Sequence, residues 1–227
     1  MQSFKPSLQK IRQNNHAVLI ANALILIGIA GLVGSGFLYL DTKSSAPTSP
    51  ATSVDVSSMP SSKKISKAAV DSYSVAPTLP KFITLPTIGV NKTRIISLGL
   101  LSNGQIATPS SIFDTGWYQA SSKPGQAGAM FIYGHVSSWT ANGVFYNLKK
   151  LKAGDSLSVT RGDNKIFTYH VVSTKIYPYD KVDMNQVLAP IDPKQPGLNL
   201  MTCTGKIIKG TSEFSQRLVV FTTQTSS

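Results

Sequence analysis

Leu198-Asn199-Leu200-Met201-Thr202-Cys203-Thr204-Gly205 opens on alternating apolar and polar side chains and ends on the chain's single cysteine, a threonine and a glycine. Alternation of this kind predicts a strand, here Leu198–Thr202, with Cys203 at its end. A lone cysteine cannot form an intrachain disulfide. It is therefore either a small buried apolar residue or a thiol kept free for chemistry. An inert buried cysteine belongs in mid-strand, whereas a reactive one needs partial exposure and a nearby cation to favour the thiolate. The next alternating run, Arg217–Thr222, starts on a fixed positive charge. If the two runs pair across their connecting loop, Arg217 comes beside Cys203. Arginine stays charged and offers several donors, so it suits an oxyanion rather than a proton transfer.

Outward from this pair, period-two segments recur at Phe82–Leu85, Thr93–Leu98, Ala129–Tyr133, Ser156–Arg161 and Ile166–Thr174. Arg161-Gly162-Asp163-Asn164 separates two of them as a hairpin turn, which accounts for its RGD triplet without any adhesive role. Helical periodicity is confined to a turn or two around Pro109–Phe113 and Lys181–Leu188. The domain is expected to be mostly β, and the strand number and spacing favour a closed barrel over an open sheet. Asn91-Lys92-Thr93 fits a glycosylation acceptor, and Leu85-Pro86-Thr87-Ile88-Gly89 looks somewhat like an LPxTG signal. Both are read as parts of strands and their edges.

The first eighty residues differ in kind. Ala17–Leu40 carries no charge over 24 positions, within the roughly 17–25 apolar residues that cross a bilayer. Lys5, Lys10 and Arg12 precede it without an acidic residue, which places residues 1–16 in the cytoplasm and the rest outside. The run is too long and too bulky at its end for a cleaved signal peptide. It is read as a single-pass signal anchor in the cell membrane. Residues 41–80, rich in Ser, Thr, Ala and Pro, read as a disordered stalk. Residues 81–227 are left as one domain with a core. That domain holds fifteen Lys/Arg against seven Asp/Glu. Outside the cytoplasm such a surface suits an anionic envelope, and nucleic acid is not an expected partner. No acidic cluster has calcium-loop spacing, so neither metal nor cofactor is expected.

Three histidines are present. His16 lies before the apolar run, and His170 falls within an alternating run and is expected to pack on one barrel face. His135 ends the strand that includes Met130-Phe131-Ile132-Tyr133, directly after Gly134, and opens the polar stretch Val136–Thr140. A histidine there is well placed to line a cleft.

With Asn199-Leu200-Met201-Thr202-Cys203 in place of a TLxTC signature, the domain resembles the sortases, membrane-anchored cysteine transpeptidases with an eight-stranded β-barrel. Further matching stretches are Thr84–Val90, Gly116-Trp117-Tyr118, Lys123-Pro124-Gly125, Tyr133-Gly134-His135, Val144–Leu148, Leu151–Asp155 and Gln216–Val220. They run in family order over essentially all of residues 81–227. The Gly-Trp-Tyr and Pro-Gly stretches are most similar to the housekeeping-type classes E and F. The resemblance implies Cys203 as nucleophile, His135 as general acid and base, and Arg217 as stabiliser of oxyanion and substrate. It implies that Thr202 helps shape the oxyanion site. The implied substrates are secreted proteins with an LPxTG-like C-terminal signal, and the implied acceptor is an amine of a peptidoglycan precursor or a pilin lysine.

Two rival readings differ in class. An L,D-transpeptidase-like enzyme of peptidoglycan also places His before Cys, but it has Gly directly before the cysteine and an Arg about two residues after it. Here Thr202 precedes Cys203 and the arginine lies fourteen residues on. Papain-like peptidases reverse the order of Cys and His. A non-catalytic, sortase-like binding module needs none of His135, Cys203 and Arg217.

Overall fold

A computed structural model describes residues 60–225 of the chain. The Ala17–Leu40 run read as an anchor, the segment before it and residues 41–59 of the expected stalk lie outside the described residues. Among the described residues no helix is long and apolar enough to cross a membrane.

Eight strands form the domain: β1 (Pro80–Leu85), β2 (Val90–Leu98), β3 (Thr115–Tyr118), β4 (Ala129–Gly134), β5 (Ser156–Arg161), β6 (Ile166–Pro178), β7 (Gly197–Ile207) and β8 (Phe214–Gln224). They close in the order β1-β2-β3-β4-β7-β8-β6-β5, so no edge is left unpaired. β2 with β3 and β4 with β7 are the parallel pairs. Each expected strand is present, several of them longer than the alternating run that announced it. β3 had no alternation to announce it, because all but the last of its four residues are buried.

Alternation sorts side chains into two layers. Met130, Ile132, Leu198, Leu200, Leu218 and Val220 fill the barrel. Phe131, Tyr133, Val219 and Phe221 point the other way and pack under α2 (Met184–Leu188) through Val187. β4 is consequently buried along its whole length. Asn199, on the outer layer, donates through Nδ2 to the carbonyls of Val187 (2.7 Å) and Ala189 (2.9 Å). The residue that departs from the TLxTC pattern is thus the fastener of α2. The Arg161–Asn164 turn connects β5 and β6, with Asn164 left-handed at φ 67°. The guanidinium of Arg161 is committed to Asp163 within that turn.

Two expectations need correction here. Pro109–Phe113 forms no helix: Ser61 pairs with Ser111, and the chain then makes a single turn that the Asp114 amide closes on the Ser111 carbonyl at 3.3 Å. The stalk also ends earlier than residue 80. Residues 61–79 lie on the barrel: α1 (Lys67–Asp71) is capped by Ser66, and Tyr73 donates its hydroxyl to the Ile95 carbonyl at 2.6 Å. The Tyr73 ring meets Phe82 edge-on at 5.9 Å and lies under the Arg94 guanidinium at 5.5 Å. Arg94 in turn forms a two-pronged pair with Asp114, at 2.9 and 2.7 Å. Tyr73, with backbone pairing of Ser61 to Ser110 and Ile112 and of Pro77 and Leu79 to the β5–β6 turn, ties down a segment whose average composition reads as disordered.

Candidate active site

The register of three neighbouring strands sets the site. Cys203 on β7 is the direct cross-strand partner of Arg217 on β8, so the two side chains project from the same face. On the other side of β7, Tyr133 of β4 is level with Met201. Continuing that register by two residues carries His135, just past the end of β4, level with Cys203. His135, Cys203 and Arg217 line one cleft of about 1180 Å³ on the outer face of the barrel. Its walls also include Tyr133, Met201, Trp139, Tyr179, Glu213 and the N-terminal Ser62.

The cysteine is not at a strand end. β7 continues through it to Ile207, because the hairpin with β8 pairs as far as Ile207 and Phe214. What sets Cys203 apart is its outward direction and partial burial. The Tyr133 hydroxyl lies 3.1 Å from its sulfur. Burial pushes the Cys203 thiol above its ordinary pKa, while the Tyr133 hydrogen bond and the Arg217 charge pull the other way. Tyr133 itself is buried, and desolvation and the neighbouring Cys203 raise its pKa strongly, so it stays protonated.

His135 is bonded to the Pro109 carbonyl through Nε2 at 2.8 Å. A carbonyl only accepts, so Nε2 carries the hydrogen and Nδ1 is the nitrogen left to take up a proton. Burial lowers the His135 pKa, and the Pro109 bond partly offsets this. Arg217 is held in place rather than loose. It donates Nη1 to the Phe214 carbonyl at 2.9 Å and Nη2 to the Glu213 carboxylate at 2.8 Å. The Tyr179 ring lies 5.9 Å from its guanidinium.

Thr202 does not line the cleft. One residue from Cys203, it faces the barrel interior, where its hydroxyl donates to the Gly134 carbonyl at 2.7 Å. The expected contribution of its side chain to the oxyanion site is corrected accordingly: it ties β7 to β4 immediately before His135. His170 lies at the other end of the barrel, beside Phe167 and Gln224 in a separate cleft of about 520 Å³. Tyr133 is the site residue that sequence reasoning missed. The available signal was its position on β4, two residues before His135.

A family model described as Sortase domain matches residues 83–225. Among solved structures, the chain is similar to a pilus-related sortase C of Group B Streptococcus, with 23% identity over 72% of this chain and 75% of that one, at a TM-score of 0.50. It is similar to Streptococcus pneumoniae sortase C at 21% identity over 73% of this chain and 75% of that one, TM-score 0.50. The Group B Streptococcus Pilus Island 1 sortase C2 matches at 22% identity over 72% and 82%, TM-score 0.50. At such identities these likenesses show the fold. No curated protein matches the chain in sequence.

Proposed function

The chain belongs to the sortase family, whose members are cysteine transpeptidases, and from that premise we propose that Cys203, His135 and Arg217 carry its chemistry. The observation that supports this most is the row they form across β4, β7 and β8, opening on one cleft. In this reading the Cys203 sulfur attacks the threonine carbonyl of an LPxTG-like signal. The new C–S bond gives a tetrahedral oxyanion beside the Arg217 guanidinium. Collapse breaks the C–N bond to the following residue, and His135 delivers its proton to the leaving amine. The resulting thioester is then attacked by an acceptor amine. His135 takes the amine's proton, and the Cys203 thiolate leaves.

In the described state no hydrogen bond joins His135 to Cys203, and Arg217 is engaged with Glu213. Substrate is therefore assigned the task of drawing the row together, as expected where catalytic contacts tighten only in the complex. The acceptor is proposed to be an amine of the envelope or of a pilin. Anchorage in the cell membrane with the catalytic domain outside is supported by the apolar Ala17–Leu40 run, and the Gly116–Tyr118 and Lys123–Gly125 stretches favour a housekeeping-type enzyme. The test is cleavage of a panel of fluorogenic LPxTG-type peptides by the full chain. Wild type should release the fluorophore and Cys203→Ala should not; equal behaviour of the two would remove the assignment.

A further inference from the structure

The row of three residues leaves the nucleophile without a partner from either expected neighbour. His135 gives its Nε2 hydrogen to Pro109, and Arg217 gives its donors to Phe214, Gln216 and Glu213. The polar side chain that does touch the Cys203 sulfur is Tyr133, at 3.1 Å. The two belong to adjacent parallel strands, so this contact is set by β4–β7 register rather than by a loop. Tyr133 is 9% exposed, and its ring stands edge-on to that of His135 with centroids 5.8 Å apart. Its hydroxyl has the sulfur as its side-chain partner, and a thiolate can only accept.

We propose that Tyr133 is a catalytic residue of this enzyme, its hydroxyl donating to the Cys203 thiolate so as to stabilise that charge and hold the sulfur toward the cleft. A hydrogen bond to an ionised acceptor is stronger than one between neutral groups, and in a desolvated cleft it replaces the water that burial removes. The other charges facing the sulfur are Arg217 of β8, which favours the thiolate, and Glu213 of the β7–β8 connection, which opposes it. His135 and Asp180 line the same cleft. With Arg217 neutralised in part by Glu213, the phenol is the one donor in direct contact. When the sulfur becomes covalently bound it loses its charge, and the hydrogen bond from the hydroxyl weakens. The inference rests on the reading of Cys203 as nucleophile.

The decisive experiment is the pH dependence of iodoacetamide alkylation of the full chain, wild type against Tyr133→Phe. Cys203 is the only thiol, so every alkylation event reports on it. Losing the donor should move the titration midpoint upward and slow alkylation at neutral pH by about three- to tenfold, the less basic wild-type thiolate giving back part of the difference. The limiting rate at high pH should be equal or somewhat higher in the variant. Phenylalanine keeps the ring and its packing, so the unfolding midpoint should stay within a few degrees. With substrate peptide, kcat should fall while KM is retained. A purely structural Tyr133 would leave the alkylation midpoint where it is. Superimposed profiles would overturn the proposal, and would do so without touching the sortase reading if wild type still cleaves peptide. A raised midpoint in Tyr133→Phe upholds the donor whatever the outcome with peptides.

Discussion

Burial moves the two titrating residues of the cleft in opposite directions: the Cys203 thiol upward and the His135 imidazole downward. Each is pushed toward its neutral form, so thiol and imidazole dominate at neutral pH and the reactive thiolate–imidazolium pair is a minor species. The profile of kcat/KM against pH should then be bell-shaped and broad. Its acid limb should fall below the ordinary histidine value of about 6.5 and its alkaline limb above that of a free thiol. A profile with an alkaline limb near neutrality would contradict this ordering. Arg217 makes a different kind of contribution. Loss of one oxyanion donor typically costs about 10²–10³ in turnover, so Arg217→Ala should lose at least about a hundredfold in kcat. Its bridge to Glu213 is half open to solvent on the carboxylate side, which limits the stability lost with it to about 1 kcal/mol. Urea unfolding alongside peptide cleavage separates the two effects. At this scale His135, Cys203 and Arg217 were legible because each carries chemistry in its side chain. Tyr133 was not, since a tyrosine on a strand reads equally well as packing, and only its 3.1 Å contact with sulfur distinguishes it.

At the scale of elements, the positions of these side chains depend on glycine and on register. Gly134 closes β4 immediately before His135, and a Cβ there would come within 2.5 Å of the Phe145 ring. Phe145 is fully buried among the barrel residues, so the ring cannot simply swing away. Gly134→Ala is expected to cost about 1–3 kcal/mol through overpacking and to lower kcat/KM by displacing His135. Unfolding curves and peptide kinetics on the one variant check both, and unchanged values in both would show that the close approach is not limiting. The cysteine's strand illustrates what period-two patterns do and do not convey. They located β7 and β8 and the pairing of Cys203 with Arg217, but not the extension of β7 to Ile207, because Cys203, Thr204 and Gly205 carry no apolar alternation. β3 escaped for the opposite reason: covered by layers on both faces, it has no exposed face to supply the polar half of a pattern. Thr202 was assigned to the site from its place in a motif, while strand geometry points it inward to Gly134.

For the molecule as a whole, closure of the barrel and coverage of its outer face leave the stability partly linked to protons at the site. His135 has a lowered folded pKa, so the unfolded chain binds the proton first as pH falls. Its contribution is complete above about 6.5 and is lost as pH drops through the lowered value. Cys203 behaves in reverse: its contribution is complete below the free-thiol value and is lost as pH rises through the raised folded one. Urea midpoints should therefore flatten on the acid side in His135→Gln, and an unchanged acid slope would contradict the sign. The fold class was legible as a whole because seven of the eight strands announce themselves between turn residues, yet the true start of the ordered domain was not. Tyr73, edge-on to Phe82, under the Arg94 guanidinium and bonded to Ile95, helps order a stretch whose composition resembles linker. The central claim, that Cys203 is an acyl-transfer nucleophile, is tested most directly by intact-mass measurement of the full chain during turnover of an LPxTG-type peptide. The predicted result is a thioester adduct of the peptide's N-terminal part, located on Cys203 and discharged by added amine. Turnover without any such adduct, or an adduct that survives in Cys203→Ala, would contradict it.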